Sequence, residues 1–190
     1  MQSEEDSDIM LSTAKKANII IVSLPLVNPW LQNRCEFGSK TPKRRGISLL
    51  KEIDRYEVVV CLASDNTRDQ FYAYGNLDML KVFKFSSLLA HLDRPSLGNW
   101  PKAVTETPAR AMGLDDTYGV IKVGGKPNLV LFRSRYYSEL FSRPQNDRVC
   151  LREGKHINVS VPLYEELDKV MVKFALSNEQ PQENGCLTNG

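Results

Sequence analysis

The stretch from Tyr118 to Leu176 constrains the chain most, because its apolar positions change period partway along, from every second residue to helical spacing. In residues 118–123, Ile121 and Val123 share one side while Val120 and Lys122 take the other. Gly124, Gly125, Lys126 and Pro127 then supply the permissive and φ-fixed residues of a turn. Residues 128–137 alternate again: Val130, Phe132, Ser134 and Tyr136 oppose Leu129, Leu131, Arg133, Arg135 and Tyr137. Past a polar loop at Pro144, Val149 and Leu151 oppose Arg148, Cys150 and Arg152. Past Gly154, Ile157, Val159 and Val161 oppose His156, Asn158 and Ser160. After Pro162, Leu163, Leu167, Val170, Met171 and Phe174 recur at helical spacing among charged residues. The pattern predicts a ββββα unit whose helix covers the apolar side of its sheet.

The other side of that sheet carries Lys122, Arg133, Arg135, Arg148, Arg152, Lys155 and His156, with Tyr137 among them. A cationic sheet face with an aromatic ring suits a phosphodiester backbone and unstacked bases. The plainer explanation is that outward strand positions are polar by default. The densest basic cluster is Lys40, Lys43, Arg44 and Arg45, a pattern shared by solvated loops, nuclear-import signals and binding surfaces.

Charge distribution says more than net charge. The total is +2, but residues 1–8 hold Glu4, Glu5, Asp6 and Asp8 and no base, which leaves +6 on the remainder. Residues 1–14 read as a disordered acidic tail beside a basic body, residues 15–176 as a single globular domain, and residues 177–190 as a second disordered tail. The start lacks a secretory n-region, and no apolar run reaches membrane-spanning length. The expectation is a nuclear or cytoplasmic protein, not secreted and not inserted in a membrane. Cys35, Cys61, Cys150 and Cys186 stand far apart and the histidines are His91 and His156 alone, so no zinc site, disulfide framework or cofactor is expected.

Residues 18–24 are β-branched and read as a strand ending at Pro25. Leu50, Ile53 and Tyr56 follow near helical spacing. The run from Glu57 to Leu62 continues that helix or forms a separate strand. In the second case residues 18–62 make a βαβ crossover, and Asp65 and Asn66 sit beyond a strand C-terminus, where nucleotide sites form. Met79–Phe85 reads as a strand, Ser86–Leu92 as a short helix, and the rest of residues 63–117 as an irregular connection. Ser12-Thr-Ala-Lys15 and Ser64-Asp-Asn66 imitate two elements of penicillin-recognising enzymes, but the Lys-Thr-Gly element is missing.

Segments 18–60 and 128–174 share an order of events: an apolar strand, a polar loop with Pro and Arg, a two-step alternation, then an amphipathic helix. They read as a pseudo-repeat, 15–62 and 118–176, joined by 63–117. The ending from Gly154 to Met171 resembles the last strand and helix of the Whirly, PUR-repeat and single-stranded-DNA-binding transcriptional coactivator group, and Lys43-Arg-Arg-Gly-Ile-Ser-Leu49 is similar to a basic turn of the coactivators. That resemblance implies an α+β fold of two ββββα units with antiparallel sheets, each backed by a helix. It also implies single-stranded DNA or RNA bound on the sheets, and oligomers formed through the helices. The expectation is a non-catalytic nucleic-acid-binding protein, possible as a homo-oligomer. The alternatives are a structural or assembly protein, for instance viral, with a basic surface, and a small nucleotide-binding α/β enzyme built on the βαβ crossover.

Overall fold

The computed structural model describes residues 3–34, 40–114, 117–158 and 163–178. Helix α1 spans Glu4–Lys16. The Ser3 hydroxyl accepts the Asp6 N–H at 3.1 Å, Glu4, Glu5 and Asp6 lie in the first turn, and Lys15 and Lys16 lie in the last. Each choice favours the helix dipole. The acidic opening is therefore a helix start rather than a disordered tail, and Leu11 and Ala14 anchor it in the core.

Strands β1 (Ile20–Ser23) and β2 (Val59–Leu62) pair in parallel, with Ile20 opposite Val59 and Ser23 opposite Leu62. A parallel pair needs a crossover. The chain makes it through α2 (Val27–Leu31) and α3 (Leu50–Arg55), which buries Leu50 and Ile53. The run 57–62 is thus a strand, and residues 18–62 form a βαβ unit.

Helix α4 (Met79–Ala90) replaces the expected strand at 79–85 and absorbs the short helix expected after it. Asp78 caps it by accepting the Leu80 N–H at 3.1 Å. Its buried face is Val82, Phe83, Ser86 and Ser87, and it stops at His91, which takes a left-handed φ of 50°. A 3-10 turn (Trp100–Val104) and α5 (Glu106–Ala111) follow. The core joins Leu11, Val27, Leu50, Ile53, Leu62, Val82 and Leu92.

The second sheet is antiparallel and has the order β3 (Leu129–Leu131), β4 (Val149–Arg152), β5 (Lys155–His156), with α6 (Tyr137–Ser142) between β3 and β4. Leu129 faces Leu151, which in turn faces His156. After a 3-10 turn (Tyr164–Leu167), α7 runs over Asp168–Asn178.

These elements correct the two-unit ββββα expectation. Residues 118–123 alternate but form no strand: Ile121 and Val123 are fully solvent-facing, and no ladder pairs them among the described residues. Alternation without a hydrogen-bonded neighbour does not make a sheet. Residues 137–142 are helix, not strand end and loop. Leu163, Leu167, Val170 and Met171 are exposed, so the last helix does not back the sheet. Segments 18–62 and 128–158 differ in strand direction, and hence are not copies of one fold. The strand expected at 159–161, the Pro162 helix start, Cys35, Cys186 and most of the C-terminal tail lie outside the described residues.

One ion pair links the two sheets' neighbourhoods. Arg148 Nη1 and Nη2 donate to Asp78 Oδ1 and Oδ2 at 2.9 and 2.8 Å, while Arg148 Nε donates to the Gln145 carbonyl at 2.8 Å. Gln145 is itself buried, and its amide donates to the Glu139 and Leu140 carbonyls at 3.2 and 3.1 Å. No described helix is long and apolar enough to cross a membrane.

Candidate active-site loop

In open α/β sheets, ligands bind beyond the carboxyl ends of the strands. Here that position is taken by the loop 63–78, between β2 and the Asp78 cap. The Ala63 N–H donates to the Ser23 carbonyl at 3.0 Å, extending the parallel pairing one step. Ser64 is buried. The next residue, Asp65, is exposed and takes a φ of 61°. A side-chain-bearing residue in the left-handed region is uncommon and is concentrated at functional sites. The conformation turns the chain sharply off the strand and leaves a carboxylate at its end.

Within the loop beyond, Asp69 gathers three donors. Asp69 accepts the Asn66 side-chain amide on one oxygen and the Phe71 and Tyr72 N–H groups, each at 2.9 Å, on the other. These donors, with the Asn66 amide foremost, hold its carboxyl below the ordinary range. Gly75 closes the loop against Asn66: a Cβ there would clash with the Asn66 carbonyl. The knot holds Phe71 with 62% of its surface exposed.

Aromatic rings pack beside it. Trp30 meets Tyr74 and Tyr72 edge to face at centroid distances of 5.1 and 6.0 Å, and its indole N–H donates to the Phe71 carbonyl at 3.1 Å. Burial pushes the Tyr72 hydroxyl up from its usual pKa. Trp30, Tyr72, Tyr74 and Phe85, with Pro25 and Arg45, line a cleft of about 420 Å³. Loop and cleft share Tyr72 and Tyr74. The loop carries the exposed Asp65 carboxylate and, six residues on in the sequence, the exposed Phe71 ring.

The basic residues singled out in the sequence are distributed otherwise. Lys40, Lys43, Arg44 and Arg45 lie in residues 40–49, which form no helix or strand before α3. There the Lys43 and Arg44 N–H groups donate to Asn33 Oδ1 at 2.9 and 3.3 Å, and the side chains are exposed. Lys122 is exposed on a loop. Arg133 pairs with Asp147 at 3.5 Å, Arg135 with Glu139 at 2.7 Å and Arg148 with Asp78 at 2.8 Å. Arg135 also holds the Glu139 carboxyl below its usual pKa. Arg152, Lys155 and His156 are brought together, exposed, at the β4–β5 hairpin, with Arg152 opposite Lys155. Tyr137 opens α6 and packs against Phe141 at 6.0 Å. Sequence reasoning placed Asp65 and Asn66 at a strand end only in the crossover alternative and passed over Asp69, Phe71 and the Trp30 rings. The available signal was Asp69 two residues before Phe71, the spacing of a side-chain-closed turn.

Comparison with known proteins overturns the nucleic-acid reading. The sequence pattern of the amidohydrolase family is matched over residues 7–159. A pterin deaminase from Rhizobium rhizogenes is 46% identical over 170 residues, which is 90% of this chain and 38% of that protein. The crystal structure of 5-methylcytosine deaminase from Klebsiella pneumoniae, liganded with 5-fluorocytosine, superposes with a TM-score of 0.67 at 27% identity, covering 86% of this chain and 40% of that one. An adenosine deaminase from Xanthomonas campestris, solved with bound zinc, gives a TM-score of 0.59 at 18% identity, over 90% of this chain and 39% of that one. The chain therefore spans about two fifths of the length of these relatives. The resemblance to the Whirly, PUR-repeat and coactivator group, the ββββα fold and the non-catalytic function are all replaced by membership of a hydrolase family.

The zinc of the Xanthomonas enzyme raises the question whether this chain holds a donor set of its own. Among the described residues no three of His, Cys, Asp and Glu are grouped closely enough to hold a metal ion. Asp65 lies beyond the strand end, His91 caps α4, and His156 lies on β5. The described residues do not make a metal site by themselves. With its family pattern, its 46% identical relative and its carboxylate beyond a parallel strand, the chain belongs to the amidohydrolase family.

Proposed function

We propose that this chain contributes to hydrolytic deamination of a planar aminated nitrogen heterocycle, of the pterin or cytosine type named for its relatives. The observation that carries the reading is the exposed Asp65 carboxylate, turned off the end of β2 by a left-handed φ, in a chain 46% identical to a pterin deaminase. In such a reaction a water oxygen adds to the ring carbon bearing the amino group, that carbon–nitrogen bond breaks, and a carbonyl and ammonia result. A positioned carboxylate takes the proton from the attacking water and returns it to the departing nitrogen, so it ends as it began. Asp65 is the group for that transfer. Phe71 is the ring that holds the heterocycle flat, and Asp69 keeps Phe71 in place.

The test is ammonia release from a panel of pterin, cytosine, 5-methylcytosine, guanine and adenosine, comparing the chain with Asp65→Asn. The reading expects release from at least one ring and a loss of 100-fold or more in the variant, the order of a general acid–base contribution. Absence of release from every ring, or equal rates in the two proteins, overturns it.

A further inference from the structure

Beyond the strand-end loop, the amino end of β2 opens onto a second cleft of about 510 Å³, lined by Lys51, Arg94, Lys102 and Arg110 together with Trp100 and Asn99. Its acids are Asp54 and Glu57. Glu57 is already engaged, because Lys15 reaches its carboxylate at 3.3 Å and its carbonyl at 2.8 Å. Lys102 pairs with Glu106 at 3.2 Å. Among the described residues, neither the Arg94 nor the Arg110 guanidinium lies within ion-pair distance of a carboxylate, and the Asn99, Ser96 and Thr107 side chains of the lining make no hydrogen bond. Lys51 is drawn to the same rim, donating to the Arg94 carbonyl at 3.4 Å. The charge of Arg110 is felt inside the fold: it opposes the upward shift that burial gives the Cys61 thiol.

We propose that this cleft binds a small phosphate-bearing anion, with Arg94 and Arg110 as its guanidinium forks and Lys51 as a third cation. Two unpaired guanidinium groups on one concave surface match the bidentate geometry of phosphate oxygens better than that of a monovalent ion. The hydroxyl and amide groups of Ser96, Thr107 and Asn99 supply neutral donors, and the Trp100 ring supplies an apolar wall. The site is distinct from the Asp65 loop. No residue of the 63–78 loop lines the cleft, which meets β2 at Val59 and Val60, before Leu62. The inference does not depend on the proposed deamination.

Titration calorimetry of the full chain with inorganic pyrophosphate, at fixed ionic strength, tests it. The expected result is saturable binding at one site. Arg94→Gln and Arg110→Gln should each weaken it at least tenfold with an unchanged far-ultraviolet circular dichroism spectrum, and Asp65→Asn and Lys126→Gln should leave it unchanged. No saturable heat, wild-type affinity in either arginine variant, or equal weakening by Lys126→Gln, the mark of unspecific charge attraction, overturns the site.

Discussion

Replacing Arg148 by Ala should destabilise the protein by about 2–3 kcal/mol, and the reason lies in how its partner is held. Asp78 and Arg148 side chains are 27% and 28% exposed, and the guanidinium meets both carboxylate oxygens at 2.8 and 2.9 Å. Removing one partner of a fully buried pair costs about 3–5 kcal/mol, because the remaining charge is left desolvated; part-exposure of this pair takes the figure to the lower end or below it. In a chain of this size that corresponds to a fall in Tm of roughly 5–10 °C. A double-mutant cycle with Asp78→Asn isolates the pair, and a coupling energy above about 1 kcal/mol is expected. The pH dependence has a definite sign. Hydrogen bonds from Arg148, against the opposing effect of burial, hold the Asp78 carboxyl below its ordinary pKa. The pair's contribution is therefore fully present above the unfolded aspartate value of about 3.9 and is lost as pH falls through the lower folded value. Wild type should lose more stability than Arg148→Ala between pH 5 and the acid limit of folding, by urea unfolding at each pH. Parallel stability curves, or a coupling energy near zero, would refute the argument that this pair fixes the end of the 63–78 loop.

Three further outcomes follow from the same geometry. Gly75→Ala should cost about 3 kcal/mol or more in urea unfolding, since its Cβ would clash with the Asn66 backbone carbonyl and only backbone movement relieves that contact. Ser23→Ala should be neutral or stabilising by about 1 kcal/mol in the same assay, because the Ser23 hydroxyl is 1% exposed at residue level and finds no partner among the described residues. Asp69→Ala should speed amide hydrogen exchange at Phe71 and Tyr72, whose N–H groups it accepts, and leave the exchange of β1 and β2 unchanged.

The first strand of the parallel pair was legible, but the second was legible only as one of two alternatives, because a β-branched run directly after a helix can also continue it. Ile20–Ser23 is short and β-branched, and Pro25 marks where it must end. Helix α4 was not legible, because Leu80, Val82, Phe83 and Phe85 make an apolar run that strand and helix share. Its inner stripe is completed by Ser86 and Ser87, which read as surface residues. They are buried at little cost, since their hydroxyls donate to the Val82 and Phe83 carbonyls at 2.9 and 2.8 Å. The basic side chains of 133–148 looked like one free face because sequence alternation reports side, not partner. Asp147, Glu139 and Asp78 reach Arg133, Arg135 and Arg148 from turns, from a helix and from 70 residues away. Asp65 was visible only through the crossover alternative. Phe71 was hidden because its role comes from the Asp69 knot rather than from any periodicity.

The most direct test of the account is the origin of the oxygen in the deaminated product. When the chain is incubated with pterin in ¹⁸O-labelled water, the product should carry one solvent oxygen at the carbon that lost nitrogen, and Asp65→Asn should form 100-fold less of it or lower still. Product without the label, or labelled product formed equally well by Asp65→Asn, contradicts hydrolytic deamination assisted by this carboxylate.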